Sequence, residues 1–186
     1  MNIKKVLDEI NKIRLKNYCN ANEFRNNPKL GKGRGIYWIL TNLTFDELRT
    51  TKQNHNAEVP IEKLINEREE LKSICNMKIN DFREVYNGIG GYKGKTVKER
   101  CSYDLRGRIN QEFSSNDHRT GTLNIGNRNN FKIENWGVSY FDFNENEEII
   151  KMLQKPKENK SYYEEYANML EINWRIEYGH PILNRY

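Results

Sequence analysis

Three short segments of this chain are rich in aromatic and β-branched residues, and longer amphipathic stretches separate them. The segments are 36–40 (IYWIL), 82–86 (FREVY) and 136–140 (WGVSY). Side chains of these types pack well on a pleated surface, so each segment predicts a β-strand. In the third segment large and small residues alternate, which is typical of a strand that buries one face. A small three-stranded sheet, antiparallel or mixed, is therefore expected at the centre of the fold.

Apolar residues at intervals of three or four predict helices between and around these strands. The third of these helices is expected to begin at Thr96, where Thr96 and Glu99 form a capping box. Its apolar stripe consists of Val97, Cys101, Leu105 and Ile109. The predicted helices cover 3–16, 60–75, 96–109, 145–153 and 161–178.

The chain has 186 residues, and eleven Tyr, seven Phe and three Trp supply core mass although only 36% of the residues are hydrophobic. No Pro-rich or Ser-rich linker divides it, so one α/β (α+β) domain over 1–186 is expected. Its additions to the sheet are an N-terminal helix with a basic loop (1–34), a helical insertion (41–81) and a long polar loop (110–133).

Several protein classes are disfavoured by the sequence. No apolar run approaches the roughly 20 residues of a membrane helix, and the charged first sixteen residues predict no signal peptide. Cys19, Cys75 and Cys101 lie far apart and are odd in number, which indicates a reduced, cytoplasmic setting rather than a disulfide framework. The net charge of +5 favours a polyanionic partner.

The sequence predicts neither a zinc site nor a nucleotide cofactor. His55, His118 and His180 do not have the spacing of metal ligands. The segments 31–35 (GKGRG) and 91–95 (GYKGK) are rich in Gly and Lys, but neither fits the phosphate-binding pattern GxxxxGK[ST].

Five further elements follow one another in a distinctive order. Taken singly, each has an ordinary explanation, because strand tyrosines usually fill cores and a charged residue at the edge of a helix stripe usually faces solvent. The elements are 35–37 (GIY) opening the first strand, 86–88 (YNG) closing the second, Arg100 on the next helix, Glu171 on the last long helix, and 181–184 (PILN) after it.

In this order the elements resemble the GIY-YIG nuclease superfamily, over residues 35–184. The resemblance implies a metal-dependent endonuclease that hydrolyses phosphodiester bonds in double-stranded DNA, similar to the stand-alone restriction enzymes of that family. It implies that Glu171 holds Mg²⁺ (or Mn²⁺) and that Arg100 clamps the phosphate. Two alternatives stay open: a nuclease-fold protein that binds DNA without cutting it, and a ribonuclease or toxin on the same scaffold.

The resemblance also gives roles to the tyrosines and to Asn184. Tyr86 is favoured as the base or the group that positions the attacking water, with Tyr37 as its hydrogen-bonding partner, and the reverse assignment stays open. A phenol has an ordinary pKa near 10 and needs nearby cations to act as a base, which Lys93 and Lys95 could supply. These side chains and Asn184 complete the predicted catalytic set.

The chain departs from the family pattern in three ways. A helical insertion separates the two tyrosine motifs, which usually lie about ten residues apart in the family. Asn87 stands where YIG has an apolar residue, and Asp104 stands four residues after Arg100, where many members have His or Tyr.

The loop at 110–133 is rich in Arg and Asn, which are the side chains suited to guanine and adenine edges. We therefore expect it to contact DNA, with a solvated loop that has no such role as the alternative. The candidate DNA contacts are Arg119, Asn127, Arg128 and Lys132. Because one site per chain cuts one strand, cleavage of both strands would favour a homodimer or a transient pair.

Overall fold

The computed structural model describes residues 3–51, 58–91, 104–114, 122–128, 131–151 and 162–185. The helices are α1 (Ile3–Lys16), α2 (Ala21–Asn26), α3 (Phe45–Arg49), α4 (Ile61–Arg68), α5 (Leu105–Glu112), α6 (Glu147–Lys151) and α7 (Tyr162–Tyr178). The strands are β1 (Cys19–Asn20), β2 (Gly35–Thr41), β3 (Lys78–Ile79), β4 (Phe82–Gly90) and β5 (Trp136–Asp142). No helix in this described part of the chain is long and apolar enough to cross a membrane.

The strands form one sheet in the order β1-β5-β2-β4-β3, and every neighbouring pair is antiparallel. The expected number of three strands is therefore wrong, although β2, β4 and β5 match the three predicted segments. The additional strands β1 and β3 contain two residues each. A two-residue strand is too short to leave a periodic signal in a sequence.

Helices cover both faces of the sheet, which agrees with the expected α/β class. On one face α1, α6 and α7 pack over Trp38, Leu40 and Phe141. On the other face α2, α3, α4 and α5 pack over Tyr37 and Ile39. All seven residues of β2 and all seven of β5 are buried, because these central strands are covered on both sides.

A buried ion pair joins α1 to the sheet. The Arg14 Nη2 atom lies 2.6 Å from the Glu84 Oε1 atom, and both side chains are fully buried. The Arg14 guanidinium also stacks between Trp38 and Trp174, at 4.5 and 5.3 Å from their ring centroids. Burial raises the pKa of Glu84 and Arg14 opposes that shift. The pair thereby fixes α1 and α7 against β2 and β4.

The helix expected over 96–109 is not continuous. Asp104 has an extended backbone (φ −60°, ψ 172°), and its side chain accepts a hydrogen bond from the Gly107 N–H at 2.5 Å. Asp104 is thus the N-cap of α5, and the predicted apolar stripe is interrupted there. The proposed capping box and the residues Lys93, Lys95 and Arg100 lie outside the described residues.

The described part of the 110–133 loop packs against the core instead of projecting into solvent. Leu123 and Ile125 belong to the core beneath α5, and Thr122 forms a parallel bridge with Glu58. Both expectations for this loop, DNA contact and a solvated loop, require exposed side chains, whereas its described part is mostly buried. Its two apolar residues are enough to anchor it.

Candidate active site

Two tyrosines face α5 from adjacent strands. Tyr37 on β2 and Tyr86 on β4 are buried, their ring centroids lie 6.3 Å apart, and their hydroxyls interact through a hydrogen bond. They share one face because Tyr86 pairs with Ile39, two residues after Tyr37 on β2. Burial raises the pKa of both phenols, so both are neutral.

A buried carboxylate ends the hydrogen-bonded chain that these tyrosines begin. The Tyr37 hydroxyl donates to Glu112 Oε1 at 2.9 Å, and the Leu123 N–H donates to Glu112 Oε2 at 2.8 Å. Sequence reasoning missed Glu112. A signal was present, because Glu112 lies three residues after the buried Ile109 on the inner face of α5, where an acidic residue is rarely found without a specific partner.

Arg108 on α5 supplies the positive charge beside the tyrosines. Its Nη2 atom lies 3.9 Å from Glu112 Oε1, and its Nη1 atom donates to Gln111 at 2.5 Å. Proximity to Tyr37 raises the pKa of Arg108, although burial opposes the shift. Arg108 therefore stays cationic at the point where the two phenols meet. Sequence reasoning missed this residue because the family resemblance pointed to Arg100 as the arginine of the helix.

Glu171 on α7, the helix that packs on the other face of the sheet, lies within electrostatic range of Tyr86 and Arg108. The side chain of Glu171 is 13% exposed, and its Oε1 atom accepts a hydrogen bond from Arg175 Nη2 at 2.7 Å. Burial raises the pKa of Glu171, and the charges of Arg175 and Arg108 oppose that shift. The charge of Glu171 also raises the pKa of Tyr86, so Glu171 lies within electrostatic range of that phenol.

These contacts, together with the electrostatic proximity of Glu171, define what we call the tyrosine cluster. It combines two neutral phenols, one guanidinium, one buried carboxylate and one partly open carboxylate. Its members are Tyr37, Tyr86, Arg108, Glu112 and Glu171. Such a set can bind an anion through the guanidinium, orient water through a phenol and accept a proton at a carboxylate.

Asn184 joins the C-terminal segment to the edge of β4. Its Oδ1 atom accepts from the Asn87 N–H at 2.9 Å, and its Nδ2 atom donates to the Asn87 carbonyl at 2.7 Å. The Leu183 N–H donates to the Val85 carbonyl at 2.8 Å, so the segment continues the sheet edge. Because its amide is engaged with the backbone, we assign Asn184 a positioning role rather than contact with a substrate.

Arg128 does not have the exposed position expected of a DNA contact. Its Nε atom donates to the Leu123 carbonyl at 2.5 Å and its Nη2 atom donates to the Val59 carbonyl at 2.7 Å. The same Nη2 atom lies 3.7 Å from the buried carboxylate of Glu58. Burial lowers the pKa of Arg128 to about 10. Arg128 therefore holds the 122–128 segment against the core, which corrects the expectation that it contacts DNA.

The other predicted DNA contacts are distributed differently. Asn127 is half-buried and donates to Glu58 at 3.4 Å, whereas Lys132 is exposed. Arg119 lies outside the described residues. Among the three candidates that the structure describes, Lys132 is the exposed one.

The residues of the cluster fit a hard divalent cation held by one carboxylate. Glu171 offers the oxygen ligand that Mg²⁺ and Mn²⁺ prefer, and its partial exposure leaves it reachable from solvent. The described residues contain no group of three or more His, Cys, Asp or Glu side chains that could hold a metal ion.

The chain matches no protein-family model, no curated protein sequence and no solved structure.

Proposed function

We propose that this protein is a metal-dependent endonuclease that hydrolyses phosphodiester bonds in DNA, and that the tyrosine cluster is its active site. The observation that carries the proposal is that Tyr37, Tyr86 and the Arg108 guanidinium lie together around Glu112, within electrostatic range of the Glu171 carboxylate. These residues come from distant parts of the chain, and a chance assembly of buried charges would be costly to fold.

The order of the sequence elements supports the same function, with one change of residue. The GIY-YIG resemblance requires an arginine on the helix that follows the second tyrosine strand. In the described structure α5 is that helix, and its Arg108 faces both tyrosines. We therefore transfer the phosphate-binding role from Arg100 to Arg108. Glu112 then occupies the position four residues later, where many family members have His or Tyr.

Arg108 binds the scissile phosphate in this mechanism. A guanidinium presents its donors in a fixed planar fork that matches two oxygens of one phosphate. Arg108 is cationic and sits beside the phenols, so a phosphate bound to it lies next to Tyr86. Electrostatic stabilisation of the charge that develops on the phosphate is the largest contribution such a group makes.

Glu171 would hold the divalent cation, Mg²⁺ or Mn²⁺. When bound, the cation polarises the phosphate and stabilises the leaving oxygen. The negative charge of Glu171 is needed at this point because Arg108 and Arg175 already make the surroundings positive.

Tyr86 orients the attacking water, and Glu112 receives the proton. Because burial raises the pKa of both tyrosines, neither is a phenolate that could act as a base alone. As the water oxygen bonds to phosphorus, its proton passes to the Tyr86 oxygen, the Tyr86 proton passes to Tyr37, and the Tyr37 proton passes to Glu112 Oε1. The bond to the leaving oxygen breaks, and that oxygen takes a proton from solvent.

Glu112→Gln is expected to lower the rate of cleavage about 10²-fold, the lower end of what a general base contributes. The amide carbonyl of the introduced glutamine can still accept the Tyr37 hydrogen bond, but it cannot accept a proton. Single-turnover cleavage of a labelled duplex measures the rate, and a gel shift measures binding, which should stay unchanged. Thermal unfolding monitors the fold. Wild-type cleavage by this variant would show that Glu112 receives no proton.

The function itself is tested by incubating supercoiled plasmid with the wild-type protein and MgCl₂. A second reaction contains EDTA, and a third receives excess MnCl₂ after the EDTA. Nicked circles or discrete fragments that require the cation support the proposal. A gel shift without cleavage would indicate a DNA-binding protein, and degradation of RNA alone would indicate a ribonuclease. Either of these outcomes contradicts the proposed endonuclease.

A further inference from the structure

Arg175 connects the carboxylate of Glu171 to the sheet. Its Nη2 atom donates to Glu171 Oε1 at 2.7 Å, and its Nε atom donates to Asn87 Oδ1 at 2.9 Å. Arg175 and Glu171 lie one helical turn apart on α7, whereas Asn87 lies on β4. One guanidinium thus joins the helix that carries Glu171 to the strand that carries Tyr86.

The strand end of this connection is rigid. Asn87 is fully buried, and Asn184 engages both its backbone N–H and its carbonyl. A side chain bound to Asn87 Oδ1 is therefore held relative to Tyr86, the preceding residue on the same strand. Arg175 itself keeps only 19% of its side-chain exposure, which limits the alternative positions of its guanidinium.

The amide of Asn87 is costly where it stands. Its Nδ2 atom is buried and has no hydrogen-bond partner among the described residues. A buried donor left without a partner costs about 1–3 kcal/mol, and an apolar side chain would avoid that cost. What the amide supplies in return is the Oδ1 atom that Arg175 binds. This accounts for the polar residue in the middle of the 86–88 segment.

We infer that Arg175 is a positioning residue, anchored by Asn87, that holds the Glu171 carboxylate in the orientation needed to bind the divalent cation. The inference rests on the proposed function. Carboxylates that ligate metals are commonly held by outer hydrogen bonds, and loss of such a partner lowers metal affinity or activity about 10-fold to 100-fold. Only an arginine has two nitrogens in a fixed fork that can reach both Glu171 and Asn87.

The test measures Mn²⁺ binding to the folded protein without DNA, by electron paramagnetic resonance of the free ion. Arg175→Met should bind Mn²⁺ about 10-fold to 100-fold more weakly than the wild type. Asn87→Leu keeps the charge of Arg175 but removes its anchor, so it should show a smaller loss. The double variant should bind no more weakly than Arg175→Met, because both changes break one connection. Arg175→Lys should restore only part of the affinity.

Cleavage assays give an independent readout. Arg175→Met should need a higher Mn²⁺ concentration for half-maximal cleavage, and the rate should approach the wild-type plateau at saturating Mn²⁺. A purely structural defect would lower the cleavage rate at every Mn²⁺ concentration, including the plateau rate at saturation. Glu112→Gln serves as the contrast, because its defect should not respond to added cation.

Two results separate this inference from the proposed function. If Arg175→Met and Asn87→Leu both bind Mn²⁺ and cleave DNA as the wild-type protein does, the positioning role alone is overturned. If Glu171→Gln binds Mn²⁺ as tightly as the wild-type protein does, the proposed function and this inference are both overturned. Thermal unfolding identifies a variant that fails to fold, and Asn87→Leu then remains as the second test.

Discussion

Glu171→Gln is expected to reduce DNA cleavage on the order of 10³-fold, because the cation loses its charged ligand. A bound cation contributes several kcal/mol of transition-state stabilisation, and each 1.36 kcal/mol is about tenfold in rate. Gln has nearly the same shape as Glu and can still pair with Arg175, so the change removes charge and little else. Single-turnover cleavage of a plasmid or a labelled duplex at saturating protein measures the effect.

The matched control for this variant lies on the same helix. Glu177 on α7 is partly exposed and pairs with Lys4, away from the tyrosine cluster. Glu177→Gln makes the same chemical change and should cleave at the wild-type rate. Cleavage by Glu171→Gln at a rate near that of Glu177→Gln would exclude Glu171 as the ligand of a catalytic cation.

Arg108→Met is expected to reduce cleavage about 10²-fold to 10³-fold, the usual effect of removing one preorganised donor from a charged transition state. Met preserves much of the side-chain length and volume. Arg108→Lys keeps the charge but loses the planar fork, and it should recover only part of the rate. The measurement is the single-turnover rate, with binding of the same duplex followed by gel shift.

Parallel measurements on variants of Arg100 and Arg108 decide which of the two binds the phosphate. We expect Arg108→Met to lose more activity than Arg100→Met, because Arg108 is the arginine that faces Tyr37 and Tyr86 in the described structure. Arg25→Met, at an exposed position of α2, controls for the loss of one positive charge. The opposite ranking of the first two variants would return the phosphate-binding role to Arg100.

The central strands could be predicted because their signal is local. Aromatic and β-branched residues fill β2 and β5, and both strands are buried along their whole length. The interruption of the helix at Asp104 was not predicted, because its signal is one capping residue. A capping-box pattern at Thr96 and Glu99 gives a stronger local signal than the single capping residue Asp104. The two predicted stripe residues that lie within α5, Leu105 and Ile109, are nevertheless buried as expected.

Some residues of the candidate site could be predicted from the sequence, and some of its contacts could not. Tyr37, Tyr86 and Glu171 could be proposed because they belong to an ordered set of motifs. The partners of Glu112 and Arg175 could not, because those contacts join residues 75 and 88 positions apart in the chain. No periodicity or spacing rule reaches across such separations, and only the folded chain brings these groups together.

The buried pair of Arg14 and Glu84 limits how this chain can change over generations. Loss of either charge alone leaves the other without a counterion in the core, at a cost of about 3–5 kcal/mol. That is a large share of the roughly 5–15 kcal/mol that separates folded from unfolded domains. Replacement of both by well-packed apolar residues is often neutral. We therefore expect selection against single substitutions at either position, and tolerated changes should replace both residues together.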